Sequence, residues 1–290
     1  MYCSYEMGVR CKGARLMLLV RDLPATEPRS TPDWGVLSPD LPNVSWVLIA
    51  LFVGLLAFLG IRARRKDRRE YQRFKRYHST ARRQAMYAKW LRESFAVFGG
   101  LSLVLLVLVW QFIPLVENDV NGWDWVRSTR TWYEALGWLS TALTVLLAFI
   151  ILVLPVLLLF AARNQADEIA SIGDIQAMIP RNRREVRLGA LLSLNAGVFE
   201  ELLFRLALPA LLFGAFGNAL IACIISVMVF GALHAYQGLV GIIGTMLVGS
   251  FLLVIYLATG SILVAILVHV LIDLRSFVFI PLIVLRVPRG

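Results

Sequence analysis

The chain is poor in cysteine and in charged residues. Three cysteines occur in 290 residues, and Cys3, Cys11 and Cys223 form no Cys-x-x-Cys pair. They are too few and too scattered for a disulfide framework or a cysteine-based zinc site. Charged residues make up 17% of the chain, whereas soluble domains contain about 25%. These shortages exclude thiol chemistry and argue against a soluble globular enzyme.

Several common signatures are also missing. The sequence contains no HExxH string, so the usual zincin arrangement is absent. It contains no GxSxG string, so a serine-centred hydrolase has no support. No segment repeats with a period of 20–50 residues, which argues against a solenoid or a duplicated transporter. The apolar cluster at 16–20 is shorter than the roughly 7–15 residues of a signal-peptide core. We therefore expect residues 1–43 to form a flexible leader.

Apolar residues are abundant instead. They make up 59% of the chain, and the mean hydropathy is +0.72, yet the net charge is +10. These values are compatible if the charge lies in the connections between membrane spans, each of which needs about 17–25 mostly apolar residues. We predict seven spans, at about 44–61, 95–116, 135–162, 188–213, 218–236, 239–258 and 261–285. The expected fold is an all-α polytopic transmembrane helical bundle.

The connections carry charge of different sign. Residues 62–92 contain thirteen Lys and Arg against Asp67 and Glu70, and the 163–187 connection is also basic, whereas 117–134 is acidic. Because basic loops stay on the cytoplasmic side, we predict an outside N-terminus and a cytoplasmic C-terminus. The expected location is the bacterial cytoplasmic membrane, as an integral, multi-pass protein with membrane lipids around it.

The 62–92 segment allows two interpretations. Its aromatic residues alternate with arginine in a roughly helical rhythm, so it could form a helix that lies on an anionic membrane surface. It could equally be a solvated loop that only enforces orientation. No nucleic-acid-binding fold is present, and we expect no nucleic-acid partner.

Charged or ionisable groups inside a span indicate function, because each costs about 2.5–3.5 kcal/mol at the centre of a membrane helix. The first three predicted spans contain almost none. Six polar residues lie in the fourth, fifth and seventh spans: Glu200, Glu201, Arg205, His234, His269 and Asp273. Their concentration in three spans predicts one shared site. With Leu188 as the cytoplasmic end of its span, Glu200 would lie about 18 Å into the membrane, in a cavity that reaches toward the cytoplasm.

The spacing of these residues separates their roles. Glu201 and Arg205 are four residues apart, so they share a helix face and are expected to pair. Glu200 is rotated by about 100° from Glu201 and therefore meets a different environment. Glu201 is then the orienting carboxylate, and Glu200, without a cationic partner, is the better general base for water.

The histidines are expected to complete the site. His234 could hold or help to activate the water. His269 and Asp273 are again four residues apart, and they could stabilise a developing oxyanion or fix each other's orientation. Structural roles are the alternative, since a Glu–Arg pair can pin two helices and a membrane histidine can simply bind a neighbouring helix. A proton-coupled transporter would also bury Glu, His and Asp.

Three short strings resemble the motifs of a known family. They are Glu200-Glu201-x-x-x-Arg205, Phe230-x-x-x-His234 and His269-x-x-x-Asp273, and they stand in successive apolar helices, the first within AGVFEELLFR. This combination resembles the CPBP family of intramembrane proteases, also called Abi, which includes the type II CAAX prenyl endopeptidases and bacteriocin-processing and immunity relatives. The resemblance covers about residues 185–283. The third motif ends in Asn or Asp in that family, and this chain has the acidic Asp273.

The resemblance implies an intramembrane endopeptidase that cleaves a membrane-associated protein or peptide with a water activated by Glu200 and His234. Glu201 and Arg205 would support the first motif, and the pair from the third motif, His269 and Asp273, the tetrahedral intermediate. No cofactor is certain. A divalent metal is the other description of the family, and Glu200, His234 and His269 would be its ligands.

Apolar spans and resemblance together divide the chain into a 1–43 leader, N-terminal spans with basic loops at 44–184, and a protease-like core at 185–285 that contains the last four spans. A catalytically inactive scaffold or regulator with the same fold is the alternative function. A proton-coupled transporter is the third hypothesis.

Overall fold

The computed structural model describes residues 37–162 and 176–284. In these two ranges 89% of the residues are helical and no strand occurs, so the prediction of an all-α protein is confirmed. Most of the predicted leader, the first half of the 163–187 connection and the last residues of the chain lie outside the described residues.

The helices follow the predicted spans closely, with most boundaries within a few residues. The first four are α1 Val44–Phe74, α2 Thr80–Asn121, α3 Asp124–Ala135 and α4 Trp138–Ala162. The next five are α5 Arg183–Glu201, α6 Leu208–Phe216, α7 Ala219–Leu233, α8 Gly238–Thr259 and α9 Ile262–Leu274. A π-helical segment, Leu202–Ala207, joins α5 to α6, and another, Arg275–Val284, continues α9.

Five of the described helices are long and apolar enough to cross a membrane, namely those of the first, second, third, sixth and seventh predicted spans. The helix of the fifth span, α7, is apolar but has only 15 residues. The fourth span carries Glu200, Glu201 and Arg205 in its middle, and these charges lower its apolar character. The protein is therefore an integral membrane helical bundle, and the count of seven spans stays a prediction.

One end of the bundle, which we call the acidic end, contains residues 117–134. The sequence suggested a loop here, but α2 continues to Asn121 and α3 follows directly. Side chains of this segment bind the ends of other helices. Arg130 Nε donates to Leu257 O at 2.8 Å, Asp119 Oδ2 accepts from Ala219 N at 2.9 Å, and the Tyr256 hydroxyl contacts Glu117. The acidic end is thus closed by direct contacts between helices.

The opposite end carries the basic hairpin, which we define as residues 62–94. Here α1 and α2 continue beyond their apolar parts and are joined by a turn at 75–79. The side chains of Tyr71, Phe74, Arg83 and Tyr87 are fully buried, and the Phe74 ring packs on Tyr87 at 5.6 Å. The segment is therefore a folded helical hairpin with its own core, and the interpretation as a solvated loop is wrong. An Arg-rich run hides this core because its few buried positions are spaced one or two helical turns apart.

A buried ion pair attaches the basic hairpin to the start of α5. The side chains of Arg83 and Glu185 are 1% and 0% exposed, and Arg83 Nη2 lies 3.1 Å from Glu185 Oε2. The remaining guanidinium donors bind the carbonyl oxygens of Ala177 and Ile179 at 3.0 and 3.1 Å. Asn182 caps α5 by accepting from Glu185 N at 3.0 Å. Arg83 therefore fixes both the connection before α5 and the direction in which α5 enters the bundle.

Candidate active site

Glu201 connects the first motif to the third. Its Oε2 lies 3.0 Å from Arg205 Nε, so the pair that the four-residue spacing predicts is present. Its Oε1 lies 2.7 Å from His269 Nδ1. The Glu201 side chain is 0% exposed, and those of Arg205 and His269 are 1% and 5% exposed. One buried carboxylate thereby orients both a guanidinium and an imidazole.

Arg205 extends this group toward α8. Its Nη2 donates to Gly249 O at 3.0 Å, and its Cζ lies 5.1 Å from the centre of the Phe230 ring. Its Nη1 is buried and has no hydrogen-bond partner among the described residues. The arginine thus lies against α7 and α8, and its ion pair fixes the orientation of the Glu201 carboxylate.

Glu200 meets a different environment, as the helical geometry predicts. Its side chain is 14% exposed, and its Oε2 lies 4.0 Å from His269 Nε2. Within the described ranges Glu200 makes no shorter polar contact than this one. The two adjacent glutamates therefore differ in their contacts. Both oxygens of Glu201 have close partners, whereas the Glu200 carboxylate is left to accept a proton from an incoming molecule.

His234 ends α7, and its tautomer follows from its hydrogen bond. Nδ1 lies 2.9 Å from the backbone oxygen of Phe230. Because a carbonyl oxygen can only accept, Nδ1 carries the proton and the lone pair is on Nε2. The His234 ring is bracketed by Phe230 and Tyr236, with ring centres 5.1 and 6.0 Å away. His234 therefore presents a fixed acceptor nitrogen.

The Phe230 ring packs against most of these groups. Its centre lies 6.2 Å from that of His269 and 5.2 Å from that of Phe204, besides its contacts with His234 and Arg205. On the other side α8 approaches so closely that a Cβ at Gly249 would lie 2.8 Å from Phe230 Cδ1. The sequence predicted only that Phe230 packs beside His234. The structure adds that it also separates His234 from the Arg205 side of the site.

The π-helical segment Leu202–Ala207 follows the two glutamates directly. Segments of this kind occur often at functional sites, because the wider turn leaves a backbone group without its usual helical partner. The carbonyl oxygen of Phe204 accepts a hydrogen bond from Ser226 Oγ on α7 at 2.6 Å. This contact ties the first motif to the helix that carries the second.

Asp273 is not what orients His269. Among the described residues it makes no hydrogen bond or ion pair, whereas His269 Nδ1 is held by Glu201. Mutual orientation by the four-residue spacing is therefore not observed, because the stronger partner for His269 comes from α5. Asp273 remains one turn further along α9, within electrostatic reach of His269 and Glu201.

The helix that carries the two glutamates, α5, packs against α2 near the start of the apolar part of α2. Asn195 Nδ2 donates to Ser94 Oγ at 2.8 Å, and the ring of Phe199 lies 5.4 Å from that of Phe95. Ser94 and Phe95 stand where the apolar part of α2 begins. The first turns of α5 therefore lie beside the polar part of α2, and the depth of about 18 Å stays a prediction.

Two tyrosines that belong to none of the three motifs pack beside His234, one directly and one through the other. Tyr236 follows the second motif, and Gln237 Nε2 donates to its hydroxyl oxygen at 3.0 Å. The ring of Tyr71, from the basic hairpin, packs edge-on against it at 5.4 Å. Only the aromatic character of the 62–92 segment signalled that this part of the chain could pack inward.

The three suggested metal ligands do not form a metal site in this arrangement. In the described part of the chain no group of three His, Cys, Asp or Glu side chains is close enough to hold a metal ion. The hydrogen bonds at Nδ1 of His234 and His269 leave each Nε2 available, so it is the spacing of the side chains and not their chemistry that does not fit. Glu200, His234 and His269 therefore do not stand close enough to share one metal ion.

Gly197 brings the first and third motifs together. A Cβ at this position would lie 2.4 Å from Val270 Cγ2 and 3.0 Å from Val270 N, so α5 and α9 touch through their backbones here. Replacing Gly197 with alanine is expected to push the helices apart and lengthen the contact between Glu201 and His269. We expect a loss of roughly 1–3 kcal/mol in unfolding free energy together with loss of the site's activity.

The control for this substitution is Gly54→Ala in α1. A Cβ at Gly54 would meet nothing within 4 Å, so this change is expected to be neutral or mildly stabilising. Equilibrium unfolding in mixed detergent micelles measures both variants. Equal behaviour of the two alanine variants would show that α5 and α9 are not in such close contact.

Comparison with protein families gives one match. Residues 183–275 match the family model described as type II CAAX prenyl endopeptidase Rce1-like. No curated protein and no solved structure matches the chain. The matched range begins at the first residue of α5 and includes all six candidate residues of the three motifs. Residues 183–275 therefore form an Rce1-like domain of the type II CAAX prenyl endopeptidase family, a family of membrane proteases, as the three motifs predict.

Proposed function

We propose that the protein hydrolyses a peptide bond of a membrane-associated protein or peptide with a water molecule activated by Glu200 and His234. The observation that best supports this is the contrast between the two adjacent glutamates. Both carboxylate oxygens of Glu201 contact partners, Arg205 and His269. The Glu200 carboxylate stays accessible and lies 4.0 Å from His269 Nε2. A carboxylate of this kind, beside oriented hydrogen-bonding groups, suits general-base catalysis.

In the proposed reaction, Glu200 removes a proton from water as the water oxygen bonds to the scissile carbonyl carbon. The hydrogen bond from His234 Nδ1 leaves the lone pair on Nε2. Nε2 accepts a hydrogen bond from the second hydrogen of the same water and so positions the water. The C–N bond then breaks, and the proton on Glu200 passes to the departing amine. The carboxylate is regenerated, so the proton balance closes without another group.

The negative charge on the carbonyl oxygen needs a hydrogen-bond donor. His269 is the candidate, because Glu201 can only accept at Nδ1 and so directs Nε2 toward Glu200. When Nε2 also carries a proton, it can donate to the oxyanion, and the Glu201 carboxylate balances the resulting charge. Arg205 and Glu201 act as positioning residues. Asp273, one turn along α9, is proposed to assist His269 in stabilising the tetrahedral intermediate.

The substrate class follows from the position of the site. The site faces the basic end, which the positive-inside rule predicts to be cytoplasmic, near the start of the apolar part of α2. A peptide bond close to the membrane boundary on that side is therefore the expected target. A membrane protein or a membrane-bound peptide precursor fits this description.

Comparison of membrane proteomes tests the proposal in cells. A strain with the wild-type protein should contain cleaved fragments, with new termini, that are absent when the chain carries Glu200→Gln. Glu134→Gln, which alters an exposed glutamate at the acidic end, is the matched control and should leave the fragments unchanged. Fragments preserved in the Glu200→Gln strain would exclude Glu200 as the general base. If no fragment depended on the protein and Glu200→Gln still preserved the cellular phenotype, the protein would act as a non-catalytic scaffold instead.

A further inference from the structure

The basic hairpin turns its negative charges inward. Its three carboxylates each have a cationic partner within the hairpin. The pairs are Arg62–Asp67 at 3.5 Å, Lys66–Glu93 at 2.6 Å and Lys89–Glu70 at 2.6 Å. Glu70 also accepts a hydrogen bond from Trp90 Nε1 at 3.1 Å and is 7% exposed. The carboxylates are therefore neutralised locally and contribute little to the outer field of the hairpin.

The outer face of the hairpin is consequently almost purely positive. Eight arginines of the hairpin are exposed, and none of them forms an ion pair with a described carboxylate: Arg64, Arg65, Arg68, Arg69, Arg73, Arg76, Arg82 and Arg92. A guanidinium presents paired N–H donors that match the oxygens of a phosphate group. A surface of this kind selects an anionic partner.

The distance of these arginines along the helix from its apolar part indicates which anion they meet. The apolar part of α1 ends at Ile61, so Arg64, Arg65 and Arg68 lie about 4–11 Å beyond it at 1.5 Å per residue. The polar headgroup layer of a bilayer is about 5–8 Å thick on each side. Arg64 and Arg65 therefore stand within the headgroup layer, and Arg68 stands just beyond it, where its long side chain can still reach a lipid phosphate. We call these three residues the base triplet.

Three other arginines form the tip triplet of the hairpin. Arg73 lies about 18 Å beyond Ile61 along α1, and Arg82 stands about as far from Ser94 along α2. Arg76 is in the turn between the two helices. At this height a dissolved acidic peptide would meet the tip triplet first, whereas lipid headgroups lie within reach of the base triplet and out of reach of the tip triplet.

We propose that the base triplet binds the phosphate groups of negatively charged lipids and that this binding holds the basic hairpin in position beside the site. The hairpin is connected to the site by an unbroken series of aromatic contacts. Tyr71, three residues after Arg68, packs on Tyr236 at 5.4 Å, and Tyr236 packs on His234 at 6.0 Å. If the hairpin moved away, Tyr236 would lose its contact with Tyr71, and the His234 ring would be held less firmly on that side.

Reconstitution in lipid bilayers tests the proposal. The full chain is placed in phosphatidylcholine bilayers with or without phosphatidylglycerol, and native mass spectrometry then counts the lipid molecules retained by the protein. Glutamine replaces either the three base arginines or the three tip arginines, so that both variants lose the same charge from exposed positions. We expect the base variant to lose its preference for phosphatidylglycerol by about 10- to 100-fold, and the tip variant to change by less than about 2-fold.

Equal losses in the two variants would overturn the proposal, because the positive charge would then act without regard to height. A loss confined to the tip variant would also overturn it, because the lipid phosphates would then be bound at the tip of the hairpin and not at its base. Unchanged circular dichroism spectra establish that both variants remain folded.

The second part of the proposal, the effect on the site, depends on the proposed protease activity. We expect phosphatidylglycerol to raise kcat in the wild type and to have no such effect in the base variant. If cleavage were absent from all bilayers while lipid selectivity followed the base triplet, the proposed protease function would fail and the lipid site would stand.

Discussion

Replacing Glu200 with glutamine is expected to lower kcat for peptide cleavage by about 100- to 10,000-fold, the usual contribution of a general base. Glutamine has nearly the same shape and keeps one oxygen, but it cannot accept a proton from water. Because the Glu200 side chain makes no hydrogen bond to the described residues, the substitution breaks no structural contact apart from the 4.0 Å approach to His269. The effect should therefore appear in kcat, with KM nearly unchanged.

Purified protein in proteoliposomes, with a membrane-tethered peptide as substrate, allows kcat and KM to be measured separately. Glu134→Gln provides the matched control, since it makes the same chemical change at an exposed position at the acidic end. A Glu200→Gln variant that retained more than about a tenth of the wild-type kcat would exclude Glu200 as the general base.

Replacing Arg83 with methionine is expected to lower the free energy of unfolding by about 3–5 kcal/mol, because it leaves a buried carboxylate without its cation. Glu185 is 0% exposed. Without Arg83 it would keep only hydrogen bonds from Asn182 Nδ2 at 2.7 Å and from the backbone N–H of Arg181 at 3.0 Å. The guanidinium also holds the connection before α5, so its loss should free the entrance to the protease domain.

A double-mutant cycle separates the ion pair from simple packing. Replacing both residues, with methionine at Arg83 and leucine at Glu185, removes both buried charges and should recover most of the stability lost in the single variant. Arg82→Met is the neighbouring control, since Arg82 is exposed and its loss should change stability by less than about 0.5 kcal/mol. Equal stability of the Arg82 and Arg83 variants would contradict a buried role for Arg83.

The parts of the site that are local in sequence could be predicted. The pair of Glu201 and Arg205 follows from a four-residue spacing on one helix, and the different surroundings of Glu200 follow from its rotation around the same helix. The contact between Glu201 and His269 could not be predicted in this way, because 68 residues separate them. This contact depends on how closely α5 and α9 pack. Gly197 permits the close packing, but a glycine in a sequence does not by itself predict it.

The fold was predictable to a similar degree. Apolar runs indicated the membrane helices, because a bilayer leaves few alternatives to a helix. The basic hairpin was not recognised as a folded element, since Arg83 is one of thirteen basic residues in 62–92 and only its neighbours in space show that it is buried. For a related reason the sequence did not show that α5 begins beside this hairpin, because the contact between Arg83 and Glu185 joins residues 102 positions apart.

The central claim is that Glu200 activates water for attack on a peptide bond, and isotope labelling tests it most directly. The purified protein is incubated with a membrane-tethered substrate in water enriched in oxygen-18, and the new C-termini are analysed by mass spectrometry. Wild-type protein should produce C-terminal carboxylates that contain one labelled oxygen, and Glu200→Gln should produce almost none in the same time. Labelled termini formed at equal rates by both proteins, or new termini without label, would contradict the account.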